Sequence, residues 1–187
     1  MSQEEFLNTV VQVLNQLNIS YMLTGSVASS FYGEPRSTHD IDFVVIIVPA
    51  DAEKLTKSFD RTRYYLSEES IEEAITYGNP FNLIDSYTGL KADFWPLKSD
   101  PFHLTCFERR KKCRIFGIDT YIATPEDLIL TKLEWCKLSD GSEMQFKDAL
   151  GIYEVQRKNL DLEYIYKWSE HLGIKNLVDK LVEKSAL

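Results

Sequence analysis

Apolar residues Phe6, Leu7, Val10, Val11, Leu14 and Leu17 recur at three- and four-residue intervals. That is the period of one helical face, so residues 3–17 are predicted to form an amphipathic helix. Residues 19–24 are short and mostly apolar and read as a strand, and Gly25-Ser26 then turns the chain into a helix over 27–32. That helix is expected to end at Gly33, before Pro35. Residues 41–48 are β-branched or aromatic and uncharged after Asp42, which makes them the strongest strand in the chain. Pro49 opens another helix that runs to about Phe59. Between Phe81 and Trp95 two alternating runs flank Tyr87-Thr88-Gly89, the pattern of a hairpin. Thr124 as N-cap and Pro125 at the first helical position start a helix that continues past Leu133 to Cys136. Residues 143–185 alternate helical patterns with polar breaks. The chain therefore divides into an α/β core, 1–122, and a helical region, 123–187, packed on that core.

Composition narrows the function classes. With 44% hydrophobic and 27% charged residues, the 187-residue chain can build a real core. No run approaches the roughly 18 uncharged apolar residues of a membrane span. The start, Met1-Ser2-Gln3-Glu4-Glu5, is acidic where a secretory signal is basic, so a cytoplasmic location is expected. Cys106, Cys113 and Cys136 are widely spaced, and His39, His103 and His171 show no ligand spacing, which argues against a disulfide framework or structural zinc. A net charge of -8 argues against broad, sequence-blind nucleic-acid binding but does not exclude a local basic patch. Arg109-Arg110-Lys111-Lys112-Cys113-Arg114 reads either as a solvated helix end or as a contact for RNA or substrate.

The candidate chemistry lies in carboxylates. Asp40 and Asp42 stand two apart at the start of a strand, so both leave the same face. Asp93 sits in a second strand, with Leu90, Ala92 and Phe94 facing the opposite way. Side by side, these strands would make a three-carboxylate cluster at one edge of a sheet. Such a cluster needs a cation to offset its own repulsion, and a few carboxylates with water and phosphate suit Mg2+. Two such ions could activate a hydroxyl and stabilise leaving pyrophosphate.

Other residues join this set. Gly25-Ser26 lies between a strand and a helix, where backbone N–H groups favour phosphate. Arg36 precedes the carboxylates and could balance them or touch a triphosphate, while Thr38 could brace the loop. Lys132, following an apolar helical run, on its own reads as a surface lysine covering apolar area with its stem. Asp148 on its own reads as an exposed helix residue paired with a lysine. Tyr153, Tyr164, Tyr166 and Trp168 have helical spacing and read as core.

Thr24-Gly25-Ser26, Arg36-Ser37-Thr38-His39-Asp40-Ile41-Asp42-Phe43 and Lys91-Ala92-Asp93-Phe94 together resemble the minimal nucleotidyltransferases of the DNA polymerase β superfamily, in particular its AbiEii-toxin-like members. Residues 124–133 resemble the helix that carries a lysine in that family, and 145–150 resemble its following Lys-Asp segment. The resemblance implies an α/β (α+β) fold, a mixed β-sheet flanked by helices with a C-terminal helical part. It implies Mg2+, two ions with Mn2+ as a substitute, and an NTP such as ATP as donor. Asp40 and Asp42 would bind both metals, and Asp93 would bind one and act as general base. Lys132 would contact the triphosphate, and Asp148 would support or position the site, joining Gly25, Ser26 and Arg36 as cofactor-binding candidates. The gap between Gly25-Ser26 and Asp40 is longer than in the shortest members of the family.

The activity so implied is transfer of an NMP to an acceptor hydroxyl of RNA, tRNA or protein, as in a toxin-antitoxin pair with a cognate antitoxin. An aminoglycoside-like small molecule is an alternative acceptor, since a net negative chain attracts polycations. A non-catalytic nucleotide-binding or antitoxin-like module is a different class; the presence of all three carboxylates speaks against it.

Overall fold

A capping box starts the first helix, α1 (Gln3–Gln16): Ser2 Oγ accepts from Glu5 N at 3.1 Å, and Ser2 N donates to Glu5 Oε2 at 2.8 Å. Its apolar stripe, Phe6, Leu7, Val10, Val11 and Leu14, is buried as the periodicity requires. The computed structural model describes residues 1–185 of the chain. These fall into two units, one made of 1–24 and 37–122, the other of 25–36 and the chain from 123 onward.

The first unit is built on a seven-stranded mixed sheet. Its strands are β1 (Tyr21–Thr24), β2 (Asp40–Val45), β3 (Tyr64–Tyr65), β4 (Phe81–Asp85), β5 (Lys91–Pro96), β6 (Lys111–Ile115) and β7 (Ile118–Ile122), in the spatial order β3-β4-β5-β2-β1-β7-β6. β2 runs parallel to β5 and antiparallel to β1, while β4 and β5 form the expected hairpin. Three helices join α1 in this unit: α3 (Pro49–Lys57), α4 (Glu68–Tyr77) and α5 (Pro101–Arg109).

Alternation fixes which way β2 and β5 face. Ile41, Phe43 and Val45 on β2, and Ala92 and Phe94 on β5, are at most 1% exposed. Phe94 stacks between Phe43 and Phe81, at centroid separations of 5.6 and 4.9 Å. Burying each ring contributes about 2–3 kcal/mol, so this face holds the register. A slip by one residue would turn Asp42 and Asp93 into the core.

The second unit contains α2 (Gly25–Tyr32), α6 (Pro125–Leu138), α7 (Glu143–Gln156), α8 (Leu162–Leu172) and α9 (Lys175–Lys184). Thr124 caps α6, as its sequence indicates, and accepts from Asp127 N. Residues 125–130 are buried without interruption, so the first turns of α6 are enclosed on all sides, while Trp135 and Leu138 in its last turn are exposed. The charged residues there are satisfied by partners: Asp127 accepts from Thr124 Oγ1 at 2.7 Å and Tyr164 Oη at 2.6 Å, and Glu126 accepts from Asp161 N at 3.2 Å.

Several elements differ from expectation. α2 begins at Gly25 itself, whose φ of 63° is open to glycine at little cost. Residues 25–36 group with the C-terminal helices rather than with the 1–122 core. Strand β2 starts one residue earlier than predicted and ends at Val45. The basic run is not simply a helix end: Arg109 closes α5, and Lys111 to Arg114 lie on the edge strand β6, whose hairpin with β7 turns through Phe116 and Gly117 at positive φ. Among the four aromatic residues read as core, Tyr153 is 3% exposed, while Tyr164, Tyr166 and Trp168 are half-buried. Among the described residues, no helix is long and apolar enough to cross a membrane.

Candidate active site

A row of polar side chains crosses the middle of the sheet. The register pairs Thr24 with Asp42, Asp42 with Asp93, and Asp93 with Asn82, across β1, β2, β5 and β4. Cα partners on neighbouring strands share a face, so these four residues project together, opposite the buried phenylalanines. Asp40 and Lys91 are partners one step along the same face. All three sequence-predicted carboxylates thus lie on one face at the N-terminal ends of two parallel strands. Thr38 braces the approach: its Oγ1 accepts from Asp40 N at 3.3 Å, and its carbonyl accepts from Gln3 Nε2 at 2.9 Å.

Two residues that sequence reasoning did not single out complete this cluster. Lys91 Nζ lies 2.9 Å from Asp93 Oδ2 and 3.8 Å from Asp40 Oδ1. The hydrogen bond to Asp93 holds the Lys91 ammonium above the ordinary lysine range, against the opposing effect of burial, and the charges of Asp93, Asp40 and Asp42 add to it. Asn82 Nδ2 donates to the other oxygen of Asp93. Both were legible in principle. Lys91 stands two residues before Asp93 in an alternating strand, and a hairpin closed between Asp85 and Leu90 places Asn82 opposite Asp93.

Among the described residues, no three acidic, cysteine or histidine side chains converge on one point as an ion's ligands would. Asp40 and Asp93 are instead paired with the Lys91 ammonium, and Asp42 stands on the same face of the sheet. The donor set nevertheless fits a hard divalent cation: carboxylate oxygens on a rigid sheet, with a cation already bridging Asp40 and Asp93.

The remaining predicted residues meet in the second unit. Arg36 reaches Asp148 with Nε to Oδ1 at 3.0 Å and Nη2 to Oδ2 at 3.1 Å, and Nη2 also donates to Ser26 Oγ at 2.5 Å. Lys132 Nζ lies 2.8 Å from Asp148 Oδ2. Burial raises the Asp148 carboxyl, but the Arg36 and Lys132 hydrogen bonds and charges outweigh it and hold the group below the usual carboxylate range. Neither Lys132 nor Asp148 is the exposed helix residue that the bare sequence suggests. Lys132 is only 6% exposed, so the ammonium serves Asp148 within a buried network. Ser26, at the head of α2, keeps its own hydroxyl proton to donate, beside the N–H groups that a first helical turn leaves without intrahelical acceptors.

No protein-family model matches the sequence, and no curated protein matches it. Solved structures do match in fold. An antigenic nucleotidyltransferase-like protein from Paracoccidioides brasiliensis is 17% identical with a TM-score of 0.62, over 97% of this chain and 88% of that one. ANT(2″)-Ia in complex with adenylyl-2″-tobramycin is 12% identical with a TM-score of 0.61, over 92% of this chain and 97% of that one. The lincosamide antibiotic adenylyltransferase LnuA, bound to lincomycin, is 12% identical with a TM-score of 0.54, over 83% and 98%. At these identities the likeness is one of architecture: a seven-stranded mixed sheet with flanking helices, which is the nucleotidyltransferase-like fold.

Proposed function

We propose that the protein is a divalent-metal-dependent nucleotidyltransferase that moves an NMP from an NTP to an acceptor hydroxyl and releases pyrophosphate. The observation that carries this reading is the register of Asp42 with Asp93 on parallel strands of a nucleotidyltransferase-like sheet, with Asp40 on the same face. Asp40, Asp42 and Asp93 would hold Mg2+, which supplies charge neutralisation and Lewis-acid polarisation at the phosphates. Asp93, oriented by Asn82, would take the proton of the attacking hydroxyl. Ser26 Oγ, the N–H groups at the head of α2 and the Arg36 guanidinium would donate to phosphate oxygens. Asp148 and Lys132 would hold Arg36 in place for that task.

For the acceptor we favour a small hydroxylated cation of the aminoglycoside kind. The net charge of -8 supports it, as do the tobramycin adduct and lincomycin bound by two proteins of the same fold. A second reading, a toxin of the AbiEii kind acting on RNA, tRNA or protein and restrained by an antitoxin, has its own support. Lys111, Lys112 and Arg114 are exposed on the edge strand β6, a local cationic face suited to phosphates. Incubating the protein with each α-labelled NTP, Mg2+, and in turn aminoglycosides, tRNA and total protein decides between them. Label moving to an aminoglycoside supports the first reading, and label on RNA or protein supports the second. No label moved, together with no Mg2+-dependent NTP binding, would sink the enzyme reading.

A further inference from the structure

We propose that Lys91 is a tethered counter-ion of the carboxylate cluster: its ammonium takes the cation position of the free protein and is displaced when a divalent ion binds. The inference rests on the metal-binding reading of Asp40, Asp42 and Asp93 and adds to it a residue that sets how tightly the ion is held.

The geometry is specific. Lys91 is the cross-strand partner of Asp40 and stands two residues before Asp93, so its side chain rises on the face that carries the carboxylates. Its Nζ reaches one oxygen of each, Asp93 Oδ2 at 2.9 Å and Asp40 Oδ1 at 3.8 Å. Asp40 and Asp93 would both hold the ion, and in the free protein both are paired with the same ammonium. An ammonium and a divalent ion cannot share that place, because their mutual repulsion within a few ångströms is stronger than that of any monovalent pair. One of them must leave, and Lys91 is built to do so. Its side chain is about a third exposed and sits on a flexible four-carbon stem that can carry the charge to water. Asp93 does not lose its aim when this happens, since Asn82 holds the oxygen that Lys91 does not touch.

Two consequences follow. Without a metal, the ammonium offsets the repulsion among three carboxylates gathered on one sheet face. With a metal, part of the binding free energy is spent on expelling the ammonium, so the site responds to a divalent ion only above a raised threshold. A monovalent ion, with no charge advantage over a tethered ammonium, does not displace it.

The test is a titration of Mn2+ alone into the full chain, without nucleotide, with free Mn2+ read by electron paramagnetic resonance. Wild type, Lys91→Met and Lys91→Arg are compared, and each is melted with and without Mn2+. Lys91→Met is expected to bind Mn2+ more tightly, on the order of tenfold. Lys91→Arg should stay within about threefold of wild type. Metal-free Lys91→Met should melt lower than wild type, and Mn2+ should raise its Tm by more. Equal affinities in wild type and Lys91→Met would overturn the counter-ion role and leave the metal site standing. Weaker binding by Lys91→Met would also overturn it, by showing that Lys91 orders the ligands instead. Failure of all three proteins to bind Mn2+ would remove the metal reading and this inference together.

Discussion

Arg36 and Asp148, 112 residues apart in the chain, meet in a two-pronged ion pair, Nε to Oδ1 at 3.0 Å and Nη2 to Oδ2 at 3.1 Å. Lys132 adds a third cationic contact to the same carboxylate, and the side chains of Lys132 and Asp148 are 7% and 8% exposed. Removing the shared acceptor leaves the buried Lys132 ammonium unpaired beside the Arg36 guanidinium, which is itself a third exposed. Asp148→Ala is therefore expected to cost about 3 kcal/mol, a fall in Tm of roughly 9 °C. Thermal melts followed by circular dichroism check this, and a change below about 1 °C would show that the triad contributes nothing to stability.

Asp85 predicts a pH dependence. Fully buried at the end of β4, it accepts from Arg63 Nη2 at 2.9 Å and from Tyr87 N at 3.0 Å. Burial alone would raise its carboxyl, but Arg63, Tyr87 and Thr88 pull it down to about 2. A carboxylate whose folded value lies below its unfolded value stabilises the fold above the unfolded value and loses that contribution as pH falls through the folded one. The stability carried by Asp85 is thus complete above about pH 4 and fades toward pH 2. Asp85→Asn should be destabilised by about 2 kcal/mol at pH 7 and by much less near pH 2, in urea melts at the two pH values. An equal deficit at both would refute the assignment.

On the proposed metal-binding reading, Asn82 predicts a defect in metal binding without a defect in folding. It touches Asp93 through one hydrogen bond on a half-buried face, so its truncation leaves the apolar side of the sheet intact. Asn82→Ala is expected to weaken Mn2+ binding by roughly ten- to a hundredfold with little change in Tm. Unchanged Mn2+ affinity would mean that Asp93 is aimed by the backbone alone.

Gly33 predicts a packing limit. A Cβ placed there would lie 2.8 Å from Ile152 N and 2.9 Å from Gly151 C, backbone atoms of α7 that cannot rotate away. Gly33→Ala should cost about 1–3 kcal/mol, measured by denaturant unfolding, whereas Gly89→Ala meets no neighbour and suffers only from its φ of 72°. A Gly33→Ala protein as stable as wild type would show that α2 and α7 can part freely.

Asp42 predicts the catalytic phenotype. Asp42→Asn keeps size and register but removes a carboxylate charge from the cluster. On the proposed function, NMP transfer should fall by a factor of about a thousand or more, at an unchanged Tm. Residual activity within tenfold of wild type would place the chemistry elsewhere.

Much of this was legible residue by residue. The spacing of Phe6, Leu7, Val10, Val11 and Leu14 specifies the buried stripe of α1, and Thr124 with Pro125 specifies where α6 begins. Alternation puts Asp40 and Asp42 on one face and Phe43 on the other. These features depend on the helical and strand periods and on caps, which act over a few neighbouring residues. Less visible was α4, although Ser67 and Gly78 mark its ends; its apolar positions are few among acidic residues.

The sequence by itself determined which side chains each strand and helix presents together, because local backbone geometry sets the face of every residue. Only the tertiary structure decided what those faces meet. The pairing of β2 with β5, the reach of Lys91 to Asp40, and the gathering of Ser26, Arg36, Lys132 and Asp148 each join segments separated along the chain. Such pairings come from the burial of whole apolar faces, such as Phe43 and Phe81 against Phe94, and no single segment carries that information.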